Sequence, residues 1–218
     1  MSKRIGVVLA GCGVYDGAEI HESALTLYFL DRLGANTICM APDEDQHHVV
    51  DHLTGNEMNE TRNVRVEAAR IARGDVKNLA EVKESELDAL ILPGGFGMAK
   101  NLSTVAFDGP NAKVNVELAE LVKAMHGAKK PIGAICISPA VISRILQDKG
   151  VELTIGNDEG TAGAIEAMGN RHQETSAEQI VIDEANNVVS TAAYMCAASI
   201  GEAGAGIEKL VNEIIKRA

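Results

Sequence analysis

Ile5 to Ala10 is an unbroken apolar run that ends in Gly11-Cys12-Gly13. A run without polar alternation predicts a strand buried on both faces, as in a parallel sheet, with a tight loop behind it. From Gly17 to Leu33 the spacing of Ile20, Leu25, Leu27, Leu30 and Leu33 predicts a helix with a broad apolar face, stopped by Gly34. Thr37 to Ala41 reads as the second strand, closed by Pro42. Asp43 to Thr61 is polar and carries Gly55, which predicts an excursion with little regular structure. Val64 to Ala72 returns to helix before Gly74, and Ala89 to Leu92 is a third short strand running into Pro93-Gly-Gly-Phe-Gly97. Lys113 to Met125 is helical, with Val114, Leu118, Leu121, Val122 and Met125 on one side. Ile132 to Ile135 is the next buried strand; Cys136 follows it, and Ala140 to Leu146 reads as helix.

Beyond Gly150 the pattern changes. Val151 to Ile155 predicts a strand and Thr161 to Met168 a short helix capped by Gly169. Ile180 to Ile182 and Val188 to Thr191 flank a polar loop, Asp183 to Asn187, in the manner of an antiparallel hairpin. Ile200 to Lys216 closes the chain as an amphipathic helix. Strands alternating with helices predict an α/β fold: a doubly wound sandwich with a mostly parallel sheet, helices on both faces and a small hairpin. No repeat or low-complexity linker divides residues 1–218, so a single domain is expected.

Charge and composition narrow the function. A net charge of −11 disfavours nucleic acid and anionic membrane as partners, and with no Trp and 3% aromatics there is little to stack on bases. No apolar run approaches the ~20 residues of a membrane span. The N-terminus leads straight into a strand without a signal-peptide pattern. Cys12, Cys39, Cys136 and Cys196 are widely spaced and form no C-x-x-C, the usage of reduced thiols in a cytoplasmic protein without a disulfide frame or zinc site. His48 and His52 have i,i+4 spacing, but a solvated surface fits them better than a metal site, because no third ligand accompanies them.

Three strand ends carry unusual loops: Gly11-Cys-Gly13 with Glu22 in the following helix, Pro93-Gly-Gly-Phe-Gly97, and Cys136. In doubly wound sheets ligands bind beyond the carboxyl ends of the strands. Cys136 falls on a strand-to-helix turn, with Pro139 in the first turn of the helix that follows. The positive end of a helix favours a thiolate, so Cys136 is expected to be the most acidic of the four thiols and the nucleophile. The glycine loop beside it would present backbone N–H groups as an oxyanion hole. The plainer readings are a small buried hydrophobe for the cysteine and an ordinary turn for Gly-Gly.

Leu92-Pro-Gly-Gly95 together with Gly133-Ala-Ile-Cys136-Ile-Ser-Pro139 resembles the ThiJ/PfpI branch of the class I glutamine amidotransferase-like superfamily. With Gly11-Cys-Gly-Val-Tyr-Asp-Gly17, Glu19-Ile-His-Glu22, His52-Leu-Thr-Gly55, Lys100-Asn-Leu102 and Ala193-Tyr-Met195, the chain looks like the ElbB group, a glyoxalase-like family associated with isoprenoid biosynthesis. The resemblance implies a flavodoxin-like fold, Cys136 as nucleophile and Glu22 as the acid of the first helix. It also implies oxyanion or substrate contacts at Gly94, Gly95 and Ile137, and a homodimer. Ile137 stands where some relatives carry histidine, and residues 151–155 contain none. His172 is the nearest downstream histidine and Cys12 could line the pocket; both are secondary candidates.

The function that the resemblance implies is a cofactor-independent glyoxalase, or a deglycase acting on early glyoxal adducts. Its expected substrate is a small dicarbonyl, and the chemistry requires no glutathione, metal or nucleotide. The alternative is a redox-responsive or chaperone-like protein in which Cys136 oxidises. A glutamine amidase is a third reading, opposed by the missing histidine.

Overall fold

The structure is a computed structural model describing residues 2–218. The chain opens with β1 (Arg4–Val8), whose apolar residues are wholly buried, and α1 (Ile20–Arg32) follows. Then come β2 (Asn36–Ala41), β3 (Val49–Val50), β4 (Glu57–Met58), α2 (Val64–Ile71), β5 (Lys77–Asn78) and β6 (Ala89–Leu92). The middle of the chain forms α3 (Phe96–Lys100), α4 (Val105–Asp108), α5 (Val116–Gly127), β7 (Ile132–Ile135) and α6 (Ser138–Ile145). The remainder is β8 (Glu152–Leu153), α7 (Glu159–Ala167), β9 (Arg171–His172), β10 (Ile180–Asp183), β11 (Val188–Thr191) and α8 (Ile200–Arg217).

Seven strands form one sheet in the order β10-β11-β7-β6-β1-β2-β5. All neighbours are parallel except β10 against β11, with Ile180 opposite Thr191. The expected hairpin is thus part of the main sheet, joined to it because β11 pairs with β7. α1 packs on α8, and α5 and α6 pack on each other and on β7. Ile207, Leu210, Val211 and Ile214 of α8 are fully buried. Burying side chains of that size stabilises by ~1.5–3 kcal/mol each. Gly133 makes room for α8, since a Cβ there would stand 2.9 Å from Leu210 Cδ2. This is a mixed α/β, flavodoxin-like sandwich.

Several boundaries differ from the periodicity. Gly17 and Ala18 stay outside α1, because Gly17 packs its Cα against the Cys12 backbone and Glu19 caps the helix. The polar excursion contains the β3–β4 hairpin, anchored where Val50 N–H donates to Asp16 Oδ2 at 2.8 Å. The predicted strand at 151–155 shrinks to β8, which leaves the main sheet to pair with β9. β5 and α3 had no apolar pattern long enough to find them.

Candidate active site

β7 delivers Cys136 to the carboxyl edge of the sheet, and the chain then turns into α6 within two residues. The turn forces Cys136 to φ 62°, in the left-handed region. For a residue with a Cβ that conformation costs roughly 1–2 kcal/mol, and it is the strain of a nucleophile elbow. Two hydrogen bonds over-determine it. Cys136 N–H donates to Thr191 O at 2.9 Å, and Ser138 Oγ donates to Pro93 O at 2.8 Å, fastening α6 to the glycine loop.

Glu22 reaches the same point from α1. Its side chain is fully buried, accepting the Gly94 N–H at Oε2 (2.9 Å) and the Tyr194 N–H at Oε1 (3.2 Å). A Cβ on Gly94 would stand 2.4 Å from Cys136 Cβ, 2.7 Å from Glu22 Oε2 and 2.9 Å from Cys136 Sγ. Only a glycine lets the thiol and the carboxyl meet there. The Gly94 N–H is thus taken by Glu22 and is not free for an oxyanion. The N–H groups of Gly95 and Ile137 act on the sulfur instead.

Burial pushes Glu22 up to about 8, with the Glu19 carboxylate adding to the rise and the Tyr194 and Gly94 N–H groups opposing it. Burial likewise pushes the Cys136 thiol well above its usual range; the Glu22 carboxylate adds, while the Gly95 and Ile137 N–H groups pull the other way. The expected acidic thiol is thus corrected. Desolvation and a neighbouring carboxyl outweigh two amides and a helix end. Two such groups titrate as a pair, and at neutral pH the pair retains its protons.

The other candidates lie apart. Cys12 is half-buried in the loop after β1, where its charged neighbours are Glu67, Arg70 and Asp16; burial raises it. His172 sits on β9 and accepts the Ile155 N–H at 3.4 Å, with no contact to Cys136. His48 and His52 share no helix. His52 instead stacks on Tyr15 at 4.9 Å and accepts the Tyr15 N–H at 3.2 Å. A cavity of about 660 Å³ lined by Asn157, Thr175, Cys196 and Glu202 includes neither Cys136 nor Glu22. Sequence reasoning missed Tyr194 as an anchor of Glu22, and missed its phenol hydrogen-bonded to His21 Nδ1 at 2.8 Å. Only the Ala193-Tyr-Met195 motif hinted at that turn.

Residues 12–199 match the DJ-1/PfpI family. The chain is 44% identical over 223 residues to "ES1 protein homolog, mitochondrial" of Rattus norvegicus, covering 98% of this chain and 83% of the relative. It is equally identical to "Glutamine amidotransferase-like class 1 domain-containing protein 3, mitochondrial" of Homo sapiens, over 98% and 82%. Among solved structures, an isoprenoid biosynthesis protein with amidotransferase-like domain from Ehrlichia chaffeensis superposes with TM-score 0.92 at 39% identity, covering 99% of both chains. Drosophila melanogaster DJ-1beta, at 18% identity and TM-score 0.61, shares the fold over 98% of this chain and 91% of its own. The cytoplasmic expectation is corrected: the rat and human relatives and one from Danio rerio carry mitochondrial names. Reduced, scattered thiols do not distinguish the two compartments.

Proposed function

The chain belongs to the DJ-1/PfpI family, and from that premise we propose that it is a cofactor-independent glyoxalase of the ElbB type, converting glyoxal to glycolate through Cys136. The observation that carries this reading is the meeting of Cys136 Sγ and the buried Glu22 carboxyl beside Gly94, with the Gly95 and Ile137 N–H groups on the sulfur. Cys136 is 8% exposed and Glu22 not at all, so a substrate reaches the sulfur first.

When the pair loses one proton, the remaining one is shared between sulfur and carboxyl. The sulfur attacks one aldehyde carbon, a C–S bond forms, and the carbonyl electron pair moves to oxygen beside the Gly95 and Ile137 N–H groups. Protonation of that oxygen gives the hemithioacetal. Glu22 then removes the proton on the attacked carbon and returns it to the neighbouring carbon, while the hydroxyl proton of the attacked carbon passes to the neighbouring carbonyl oxygen, so the first carbon is oxidised to the thioester carbonyl and the second reduced to CH2OH. The resulting glycolyl thioester takes up water, releasing glycolate and the thiol. The link of the Ehrlichia relative to isoprenoid biosynthesis extends to this chain as part of the same proposal. The redox-responsive alternative is weakened by a thiol that is buried and pushed up rather than down.

Direct measurement of glycolate tests the reading, because loss of dicarbonyl alone also reports trapping by thiols. Cys136→Ala abolishes glycolate formation. Glu22→Gln lowers it by ~100-fold or more, as expected for a lost general acid/base. His172→Ala costs less than ~10-fold, since it lies outside the cluster. Undiminished glycolate from Cys136→Ala would eliminate the mechanism.

A further inference from the structure

α5 and α6 pack on each other and leave a cleft of about 680 Å³ between them and the loop that precedes α5. Its charged lining is entirely cationic: Lys113 from the loop, Lys123 from α5 and Arg144 from α6. Asn111 and Gln147 add amides, and Val114 and Ile145 add apolar surface. The chain as a whole carries −11, so a concave surface with three cations and no acid reverses the sign of its surroundings. The acids nearby in sequence are engaged elsewhere. Asp108 accepts the Thr104 hydroxyl at 2.6 Å, Asp148 lies against Gly169, and Glu117 and Glu120 line a separate cavity with Lys83. Among the described residues none of the three cations enters a salt bridge, whereas Arg4, Lys130 and Arg217 each hold a carboxylate. Arg144 is also held in one orientation. Its Nε–H donates to Ala112 O at 2.6 Å and its Nη1 donates to Gln147 Oε1. A guanidinium has further N–H donors beyond those two, and they remain to meet a ligand. A cation in the last turn of a helix is favoured by the helix's own carbonyls. That accounts for Arg144 alone; it does not account for Lys113 and Lys123 lining the same cleft.

We propose that this cleft binds a diphosphate group, free or carried on a short apolar stem. Like charges gathered on a concave surface repel one another, and an anion relieves them. Phosphate oxygens suit the set, because Arg meets them as a planar fork and Lys as a point charge. Three cations match the charge of a diphosphate better than that of a single phosphate, and a cleft of this volume is in the range of small-molecule sites. The site is built on α5 and α6 and does not rest on the reading of Cys136 and Glu22.

Isothermal titration calorimetry of the full chain at low ionic strength tests this, with pyrophosphate, inorganic phosphate and pentyl diphosphate as titrants. Pyrophosphate is expected to bind once per chain and ~10-fold or more tightly than inorganic phosphate, because fewer cations reach a single phosphate. Lys123 is exposed, so Lys123→Gln leaves the fold intact and tests the charge. Arg144→Lys keeps the charge and loses the fork. Each is expected to weaken pyrophosphate by ~10-fold. Lys209→Gln removes a charge from α8, outside the cleft, and leaves the affinity unchanged. Tighter binding of pentyl diphosphate than of pyrophosphate supports the ester as ligand, with its stem on Val114 and Ile145; equal binding supports the free anion. No binding of pyrophosphate, equal affinity for inorganic phosphate, full affinity in Lys123→Gln, or an equal loss in Lys209→Gln overturns the proposal.

Discussion

At the scale of single residues, the chemistry is set by desolvation. Glu22 is pushed up to about 8 because its carboxyl has no water and a second carboxylate beside it. A folded value above the free carboxylate's means that the native site holds its proton through neutral pH. The singly ionised pair is the form that attacks, so glycolate formation per unit of enzyme rises as pH climbs through about 8. A pH–kcat/KM profile that is flat from 6 to 9 would contradict this assignment. Cys136 also bears backbone strain at φ 62°. Cys136→Gly removes both the thiol and the strained Cβ, whereas Cys136→Ala keeps the Cβ. The glycine variant is expected to be more stable than the alanine variant by roughly 1 kcal/mol, measured by urea unfolding of the two proteins side by side.

At the scale of elements, the site is a meeting of three loops at the carboxyl edge of the sheet. β1 and its loop lead to the cap of α1, β6 supplies Gly94 and Gly95, and β7 supplies Cys136. Gly94 is the joint between them. Gly94→Ala would drive a methyl group to 2.4 Å from Cys136 Cβ, so the β6 loop must move. The expected result is a folded protein, destabilised by ~1–3 kcal/mol as for other overpacked positions, with glycolate formation reduced to the level of Cys136→Ala. Full activity in Gly94→Ala would show that the thiol and Glu22 need not meet. The cysteine and the glycine pair were legible at strand ends that the hydrophobic pattern locates, while the acid of α1 was singled out by the resemblance to the family.

At the scale of the whole molecule, the acidic surface and the parallel sheet leave one end for chemistry and the rest for packing. We propose that the chain forms a homodimer, an expectation carried by the resemblance to its family. Light scattering at micromolar concentration is expected to give about twice the 23.0 kDa mass of the chain; a single species at the chain mass would refute it. The compartment is the feature that composition misjudged, since a reduced thiol usage fits mitochondrion and cytoplasm alike while the relatives carry mitochondrial names.

The sequence by itself determined the main apolar strands and the longer helices, where the central strands end, and which residue types stand there; the β3–β4 hairpin, β5, α3 and the departure of β8 from the main sheet it did not. The features it determined are local: apolar runs, glycines at turns and a cysteine after a buried strand need no partner to be read. What only the tertiary structure decided is the electrostatic state of the site. The β7–α6 turn alone predicts an acidic thiol, but the fold buries Cys136 beside Glu22, which pushes the thiol up. The same holds for Gly94, whose N–H is taken by a side chain 72 residues away in sequence, and for Tyr194, which anchors Glu22 across 172 residues. Desolvation and charge proximity depend on distances between groups remote in the chain, and a sequence pattern carries no such distances.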